Sequence, residues 1–160
     1  MFEKLDNLWC FESDSEAATA KLGRAIANAI SPGDVIALVG DLGTGKTRLV
    51  QSIAEELGVN RDDVNSPTFV LIQHYDATIP LHHIDAYRLR DEDEFIELGV
   101  DELMGGDGAT LIEWADRVQD ALPLDALWII GRVTDQNERE FSFRGQGKAV
   151  TTIQRVSSNL

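Results

Sequence analysis

The feature that most constrains this fold is an octet of residues, 40–47, that reads G-x-x-x-x-G-K-T. The residues just before it, 35–39, are all apolar, which is typical of a buried strand. After it, apolar residues recur at spacings of three and four as far as Gly58, which predicts an amphipathic helix that ends there. A strand, a glycine-rich loop and a helix in this order form the context in which such an octet binds phosphate.

The residue types of the octet account for its expected chemistry. Its glycines permit positive φ angles and let bare backbone approach an anion, while the start of the following helix adds partial positive charge. Lys46 is expected to reach the β- and γ-phosphates of a nucleotide, and the Thr47 hydroxyl to ligate Mg²⁺. Asp41 is unusual because a carboxylate repels phosphates, so it either points away or helps to place a water or the metal. A glycine-rich turn without a ligand is the alternative interpretation.

The size and composition of the chain suit one globular unit. With 160 residues and 43% apolar content, it can bury about 70% of its unfolded surface. We expect a single domain over residues 1–160, with a core from about residue 13 to 145 and an uncertain C-terminal tail. The single cysteine, Cys10, excludes an internal disulfide and fits a reducing compartment. No apolar run approaches the roughly 18 residues of a membrane helix, and charged residues interrupt the N-terminal segment, so we expect a cytoplasmic protein.

The charge of the chain is strongly negative and unevenly distributed. A net charge of −14 argues against free nucleic acid as a direct partner, because phosphates are repelled. Residues 131–160 carry five basic and three acidic side chains, whereas residues 1–130 carry nine basic and 25 acidic ones. The acidity peaks at residues 91–94. A solvated helix face is the ordinary explanation of this peak, and a docking surface for a basic partner protein is the alternative.

The sequence patterns predict an α/β fold, P-loop NTPase-like and three-layered, with a mixed central sheet. Two β-rich runs, 68–75 and 81–85, are separated by a short gap that is insufficient for a parallel crossover, so they predict an antiparallel hairpin. A capping box at residues 13–16 predicts the start of a helix. The other predicted elements are a helix from Asp91 to Gly99, strands at 109–113 and 127–130, and an edge strand at 140–144, with no assignment beyond Gly147.

Hydrolysis of a bound nucleotide also requires a carboxylate for Mg²⁺ and a group that orients water. Asp85 and Glu113 each follow an apolar run, and ligands of open α/β sheets lie at the carboxyl ends of strands. Both acids are therefore expected to face the Mg²⁺ bound by Thr47, with Glu113 holding the metal or polarising the attacking water. Ordinary structural roles for the two acids are the alternatives. Thr68 follows a polar loop, where it either senses the γ-phosphate or is a generic strand residue.

Two histidines and a tryptophan neighbour these acids in the sequence. His82 and His83 are adjacent, so they point to opposite faces of a strand and cannot jointly bind one metal ion, which argues against a zinc site. Trp114 follows Glu113 and either stacks on a base or fills core, and the core interpretation is favoured.

These motifs, in this order, resemble those of the TsaE (YjeE) family, small bacterial ATPases of tRNA threonylcarbamoyl-adenosine synthesis. The octet matches that family's G-D-L-G-x-G-K-T, which accounts for Asp41 as a family trait. Order and spacing agree from about residue 13 to 145, and Ala86 and Arg48 are minor departures. The other matching segments are T-x-x-L-G at 19–23, S-P-T-F at 66–69, H-x-D-x-Y-R-L at 83–89 and I-E-W at 112–114.

The resemblance implies a Mg²⁺-dependent ATPase, weak on its own, that supports turnover by the TsaD–TsaB complex. That complex transfers a threonylcarbamoyl group to the adenosine beside the anticodon, so contact with tRNA is expected to be indirect. ATP and Mg²⁺ are the implied cofactors. The implied catalytic residues are Lys46, Asp85 and Glu113, and the implied metal ligands are Thr47, Asp85 and Glu113. The implied ATP-binding residues are Thr19, Asp41, Leu42, Gly43, Thr44, Gly45, Lys46, Thr47 and Arg139, with Thr19 and Arg139 near the nucleoside.

Two other functions fit the same octet. A small-molecule kinase also binds nucleotide and Mg²⁺, but such kinases usually carry an arginine-rich lid. The segment after Asp85 offers only Arg88 and Arg90 before it becomes acidic, which suits a lid poorly. A nucleotide-gated interaction module, in which hydrolysis is incidental, shares the fold and is distinguished by a substitution of Glu113.

Overall fold

The computed structural model describes residues 2–5, 8–40, 45–64 and 72–160. The strands are β1 (Phe2–Leu5), β2 (Leu8–Ser13), β3 (Val35–Val39), β4 (Ile72–Tyr75), β5 (Leu81–Asp85), β6 (Ala109–Glu113), β7 (Leu127–Asp135) and β8 (Glu138–Arg144). The α-helices are α1 (Glu16–Ala27), α2 (Lys46–Glu56), α3 (Glu92–Glu97), α4 (Val100–Leu103) and α5 (Lys148–Asn159), and there are short 3₁₀-helices at Arg61–Asp63 and Ala115–Ala121. None of the helices in these ranges is long and apolar enough to cross a membrane.

The strands form one mixed sheet in the order β1-β2-β8-β7-β3-β6-β5-β4. Its middle is parallel, since β3 pairs in parallel with β6 and β7, and β6 does so with β5. The two sides are antiparallel. β4 and β5 pair across the short connection at residues 76–80, which confirms the predicted hairpin. The portion of the predicted strand at residues 68–71 lies outside the described residues.

Helices cover both faces of the sheet, so the fold has three layers, as predicted. β3 shows the arrangement, because its alternate side chains point to opposite faces. Ile36 and Leu38 are buried with side chains of α1, α2 and α5. Val35 and Ala37 are buried with side chains of α3, α4 and the second 3₁₀-helix. An all-apolar strand is the expected centre of a parallel sheet that is covered on both faces.

β8 is an interior strand, so the prediction of an edge strand at residues 140–144 is wrong. It pairs with β7 on one side and with β2 on the other. Buried and more exposed side chains alternate along β8, with Phe141 and Phe143 buried. Such alternation indicates that one face of the strand is covered and the other solvated, and an interior strand can show it as well as an edge strand. No sequence pattern was identified for the N-terminal strands β1 and β2, and β1 is the edge strand on this side of the sheet.

The start of α1 also differs from the predicted one. Ser15, and not Ser13, is the N-cap of α1, and its hydroxyl accepts a hydrogen bond from the Ala18 amide at 3.1 Å. The capping box at residues 13–16 is therefore wrong in position, because Ser13 is still paired in β2. At the other end of the chain, α5 occupies residues for which the sequence predicted neither helix nor strand.

α1 and α2 cross so closely that only glycine fits at one position. A Cβ atom on Gly23 would lie 2.4 Å from the Cβ of Ser52, and 3.3 Å from both the amide nitrogen of Ile53 and the carbonyl oxygen of Leu49. Interiors are already close-packed, so the helices would have to separate to admit it. This crossing fixes the position of α2, whose first turn carries the lysine and threonine of the octet.

Replacement of Gly23 by alanine is expected to lower the free energy of unfolding by about 1–3 kcal/mol, as overpacking does. Helix propensity alone predicts the opposite sign, since alanine stabilises a helix interior by about 1 kcal/mol relative to glycine. Urea denaturation of Gly23→Ala and of the exposed control Lys21→Ala measures the effect. In Gly23→Ala/Ser52→Gly the two losses should be less than additive. A Gly23→Ala variant as stable as the wild type contradicts this account of the crossing.

Candidate active site

The octet starts directly after β3 and ends in the first turn of α2, as its sequence context predicts. β3 ends at Val39 and α2 begins at Lys46, and Gly45 precedes the helix in the left-handed conformation with φ of 91°. Gly40 also has a positive φ, of 148°. The flanks of the octet thus have the expected structure. The predicted nucleotide-binding residues that lie outside the described ones, and stay predictions, are Asp41, Leu42, Gly43 and Thr44.

Lys46 is almost fully buried at the start of α2, with 7% of its surface exposed. A buried ammonium group requires partners that replace its water. Its Nζ donates a hydrogen bond to the carbonyl oxygen of Gly40 and lies 4.0 Å from the centre of the Trp114 ring. A cation over the face of an indole ring is attracted by the ring electrons. These contacts hold the ammonium between Gly40, at the end of β3, and the Trp114 ring.

Asp85 and Glu113 end two neighbouring parallel strands and lie directly opposite each other. They are register partners in β5 and β6, so their backbones are about 4.8 Å apart. Both are buried, with 7% and 3% of their surfaces exposed. Leu111, on the same face of β6 as Glu113, belongs to the hydrophobic cluster that includes α2. The two carboxylates therefore lie on the face of the sheet that carries α2, at the edge where α2 begins.

Hydrogen bonds orient both carboxylates. Asp85 Oδ1 accepts a hydrogen bond from the backbone amide of Tyr87 at 2.9 Å. Glu113 Oε2 lies 2.7 Å from Nε2 of His83, whose side chain is fully buried. The sequence patterns predict no role for His83 in the site. Its position two residues before Asp85, and so on the same face of β5, is the signal that points to it.

Trp114 combines an unusual backbone conformation with a contact to the site. Its φ of 58° and ψ of 37° place it in the left-handed region, the only non-glycine residue with positive φ among those the structure describes. This conformation costs about 1–2 kcal/mol for a residue with a side chain. Half-buried, the ring packs against the core and lies 4.8 Å from the ring of Tyr87. The core interpretation is therefore correct in part, and the ring also supports the Lys46 ammonium.

The residues predicted to hold Mg²⁺ fit an ion that is shared with a nucleotide. Mg²⁺ is usually bound by one or two carboxylates together with phosphate oxygens and water. Asp85 and Glu113 supply two carboxylates, and Thr47 is the second residue of α2. Within the described ranges, no group of three or more His, Cys, Asp or Glu side chains is arranged to hold a metal ion. This donor set suits Mg²⁺ with substrate ligands rather than zinc held by protein alone.

The residues expected near the nucleoside lie beside a cleft of about 780 Å³. Ser13 and Arg139 are register partners in β2 and β8, and both line this cleft. Thr19 is buried behind Ser13, with their hydroxyl oxygens 2.7 Å apart. Arg139 donates hydrogen bonds to the carbonyl oxygens of Asp135 and Glu138, at 3.3 and 3.0 Å. The volume is in the range of small-molecule sites.

The cleft lies on the same face of the sheet as Gly45 of the octet. Phe11 lines the cleft, and its register partner in β8 is Phe141. The tip of the Phe141 ring is 3.7 Å from the position that a Cβ atom of Gly45 would occupy. The cleft therefore adjoins Gly45, at the start of α2, through this pair of phenylalanines.

A second pair of histidines lies away from the carboxylates. His82 contacts His74 of β4, with their Nδ1 atoms 2.8 Å apart, whereas His83 contacts Glu113. Partial burial and, next, the neighbouring His74 lower the pKa of His82. The two adjacent histidines thus point in opposite directions, as the strand pattern predicts, and do not share a site.

Comparison with known proteins identifies the family. The family profile described as "Threonylcarbamoyl adenosine biosynthesis protein TsaE" matches residues 13–141. Two proteins named "tRNA threonylcarbamoyladenosine biosynthesis protein TsaE" are similar to this chain. The one from Bacillus subtilis (strain 168) is 46% identical over 131 residues, which cover 81% of this chain and 79% of that protein. The one from Treponema pallidum (strain Nichols) is 35% identical over 130 residues, which cover 81% of this chain and 96% of that protein.

A solved structure, the crystal structure of Bacillus subtilis YdiB, has the same fold. The two superpose with a TM-score of 0.82 at 32% sequence identity, over 99% of this chain and 97% of that one. This match confirms the P-loop-like α/β fold with a single mixed sheet. Motif order, sheet topology and sequence identity all indicate the same family. The chain belongs to the TsaE family, which is described by its role in threonylcarbamoyl adenosine biosynthesis.

Proposed function

We propose that this chain is a Mg²⁺-dependent ATPase that acts with the TsaD–TsaB complex in the biosynthesis of tRNA threonylcarbamoyladenosine. The observation that carries the proposal is the pairing of two buried carboxylates, Asp85 and Glu113, at the edge of the sheet where α2 begins with Lys46. Membership of the TsaE family supports the pathway. The reaction is attack of water on the γ-phosphate of ATP, which yields ADP and phosphate.

The start of α2 supplies groups that bind a triphosphate. Its backbone N–H groups have no partner within the helix, and the positive end of the helix dipole attracts phosphate oxygens. The Lys46 ammonium is largely desolvated, which makes its attraction to an anion stronger than that of an exposed lysine. The cleft beside Ser13 and Arg139 takes the nucleoside in this proposal, with Thr19 beneath it.

Thr47, Asp85 and Glu113 are the side chains that would hold Mg²⁺ beside the phosphates. When bound, the ion neutralises phosphate charge and aligns the oxygens for transfer. Glu113 is either a ligand or the group that orients the attacking water, since it ends β6 next to Asp85. Burial of the two acids keeps bulk water away and so strengthens their attraction to a cation.

The surface charge favours a protein partner over direct contact with tRNA. A net charge of −14 repels an RNA backbone. The acidic segment around α3 also exposes two large apolar side chains, Tyr87 at 47% and Ile96 at 44%. A surface that combines negative charge with exposed apolar groups suits a basic protein surface. The partner proposed for it is the TsaD–TsaB complex.

The segment after β5 argues against a small-molecule kinase. Arg90 is held by Glu94, with its Nε 3.1 Å from the carboxylate. Asp91 caps α3 by accepting a hydrogen bond from the Glu94 amide at 3.0 Å, as the sequence predicts. The segment is thus a short acidic helix and does not have the composition of an arginine-rich lid over a phosphate acceptor.

Substitution of Lys46 by alanine should weaken ATP binding by about 10- to 100-fold, since a hydrogen bond to a charged group contributes about 1.5–3 kcal/mol. Thermal unfolding with and without Mg·ATP measures this, because a ligand at 100-fold its Kd stabilises by about 2.7 kcal/mol. The exposed control Lys4→Ala, on β1, should keep the full shift. Equal shifts in wild type and Lys46→Ala count against the proposed phosphate site.

Substitution of Glu113 by glutamine should preserve metal-free ATP binding, weaken its Mg²⁺-dependent component and lower the rate of phosphate release by about 10²–10⁴-fold, the usual contribution of a group that activates water. Glutamine retains an oxygen that can accept the hydrogen bond of His83. Single-turnover phosphate release provides the rate, and the exposed control Glu97→Gln on α3 should match the wild type. If tRNA modification proceeds normally with Glu113→Gln, nucleotide binding alone suffices and the chain is a nucleotide-gated module.

Addition of this chain to purified TsaD–TsaB, tRNA, a threonylcarbamoyl donor and Mg·ATP should allow repeated rounds of tRNA modification. With Lys46→Ala, repeated rounds of modification should be lost at ATP concentrations near the wild-type Kd, because nucleotide binding is weakened. Modified tRNA is counted against the amount of TsaD–TsaB, with released phosphate followed in parallel. Transfer of phosphate to a small molecule, or repeated rounds without this chain, would refute the proposed role.

A further inference from the structure

His83 and Glu113 form a buried polar pair inside the site. Their exposed fractions are 0% and 3%, and His83 Nε2 lies 2.7 Å from Glu113 Oε2. The two residues are not register partners, because His83 pairs with Leu111 and Glu113 pairs with Asp85. The contact is therefore diagonal across β5 and β6, and Glu113 leans back along the sheet toward the histidine.

The two oxygens of Glu113 have different surroundings. Oε2 is held by His83. Oε1 accepts no hydrogen bond from the residues that the structure describes. It is also absent from the set of their buried side-chain atoms that lack a partner, so it is not sealed from solvent. One oxygen is thus held by a histidine of the neighbouring strand, while the other accepts no hydrogen bond from the described residues.

We propose that His83 is a positioning residue for Glu113: by holding Oε2, it presents Oε1 to the Mg²⁺ and to the attacking water. This inference rests on the proposed function, since it names the group that orients one of its carboxylates. His83 touches neither the phosphates nor the ion in this arrangement. It acts through Glu113 alone.

The surroundings of His83 argue against a purely stabilising pair. Its other ring nitrogen, Nδ1, is buried and has no hydrogen-bond partner among the described residues. The tautomer with its hydrogen on Nε2 leaves no buried N–H unpaired, and it donates that hydrogen to Glu113. An apolar side chain at this position would avoid the unpaired nitrogen altogether, and a buried polar pair is in general no more stable than an apolar one. The histidine is therefore explained by the orientation it imposes.

The carboxylate of Asp85, which lies opposite Glu113 in the sheet, is oriented in a different way. Asp85 accepts a hydrogen bond from the backbone amide of Tyr87, which no side-chain substitution removes. Glu113 instead depends on the side chain of a residue that lies 30 positions away in the sequence. Outer partners of this kind typically change metal affinity or activity by about 10- to 100-fold when they are removed. Substitution at position 83 therefore tests the orientation of one carboxylate without altering the other.

The test compares His83→Gln with His83→Asn at one fixed pH. The glutamine amide nitrogen reaches about as far as Nε2 and can still donate to Glu113, whereas the asparagine amide is too short. Isothermal titration with a non-hydrolysable ATP analogue, in Mg²⁺ and in EDTA, gives the binding readout. His83→Asn should weaken the Mg²⁺-dependent component by about tenfold and kcat by at least as much, with metal-free binding and the unfolding midpoint little changed. His83→Gln should recover most of both losses.

Two controls separate positioning from general damage. His82→Asn, which removes the neighbouring imidazole on the other face of β5, should behave as the wild type. In a Glu113→Ala background, His83→Asn should cause no further loss of Mg²⁺ affinity, because the residue through which it acts is gone.

Several outcomes overturn the inference. The first is a His83→Asn variant with wild-type Mg²⁺ affinity and kcat, and the second is a His83→Gln variant as impaired as His83→Asn. The inference also fails if His83→Asn weakens metal-free nucleotide binding as much as Mg²⁺-dependent binding, or if it lowers Mg²⁺ affinity further in the Glu113→Ala background. Failure of both His83 variants to fold would make the pair structural. If the wild type itself binds no Mg²⁺–nucleotide, the proposed function fails and the inference fails with it. If the wild type binds and hydrolyses normally while His83→Asn is unaffected, only the inference fails.

Discussion

The parallel register between β5 and β6 is the constraint on which the site depends. Side chains alternate between the two faces of a sheet, so a slip of one residue would carry Asp85 or Glu113 away from α2. Burial prevents the slip, because Leu111 belongs to the cluster on one face and Ile112 to the cluster on the other. The same register brings His83 within reach of Glu113. The apolar core thereby fixes the relative positions of the polar groups at the edge.

The charged groups of the site oppose folding unless each has a partner. Lys46, Asp85 and Glu113 are all nearly buried, and such side chains are seldom buried in proteins without a pairing group. Lys46 rests against a carbonyl and the Trp114 ring, while a backbone amide and a histidine hold the two acids. Trp114, whose ring contacts Lys46, has a strained backbone conformation. Strain and buried charge at one place are typical of a functional site rather than of a stabilising core.

The parts of the structure that depend on local pattern could be predicted from the sequence, and those that depend on long-range pairing could not. The strand, glycine loop and helix around the octet, and the hairpin of β4 and β5, follow from residues close together in the chain. The prediction that β8 lies at an edge was wrong because its neighbour β2 comes from the opposite end of the chain. His83 has an evident role only when β6 is known to lie beside β5. The acids at strand ends were identified by pattern, but their register was not.

The carboxylates that would hold Mg²⁺ also repel a triphosphate. Two unit charges about 5 Å apart interact by about 3 kcal/mol at an effective dielectric constant of about 20. The charge of Lys46 offsets one such repulsion, but Asp85 and Glu113 contribute two. The net charge of −14 on the whole chain adds to the negative field. A divalent cation between acids and phosphates turns both repulsions into attractions. Binding of the ion and of the nucleotide must then strengthen each other by the same factor, so the ligand that we propose for this site is Mg·ATP rather than ATP alone.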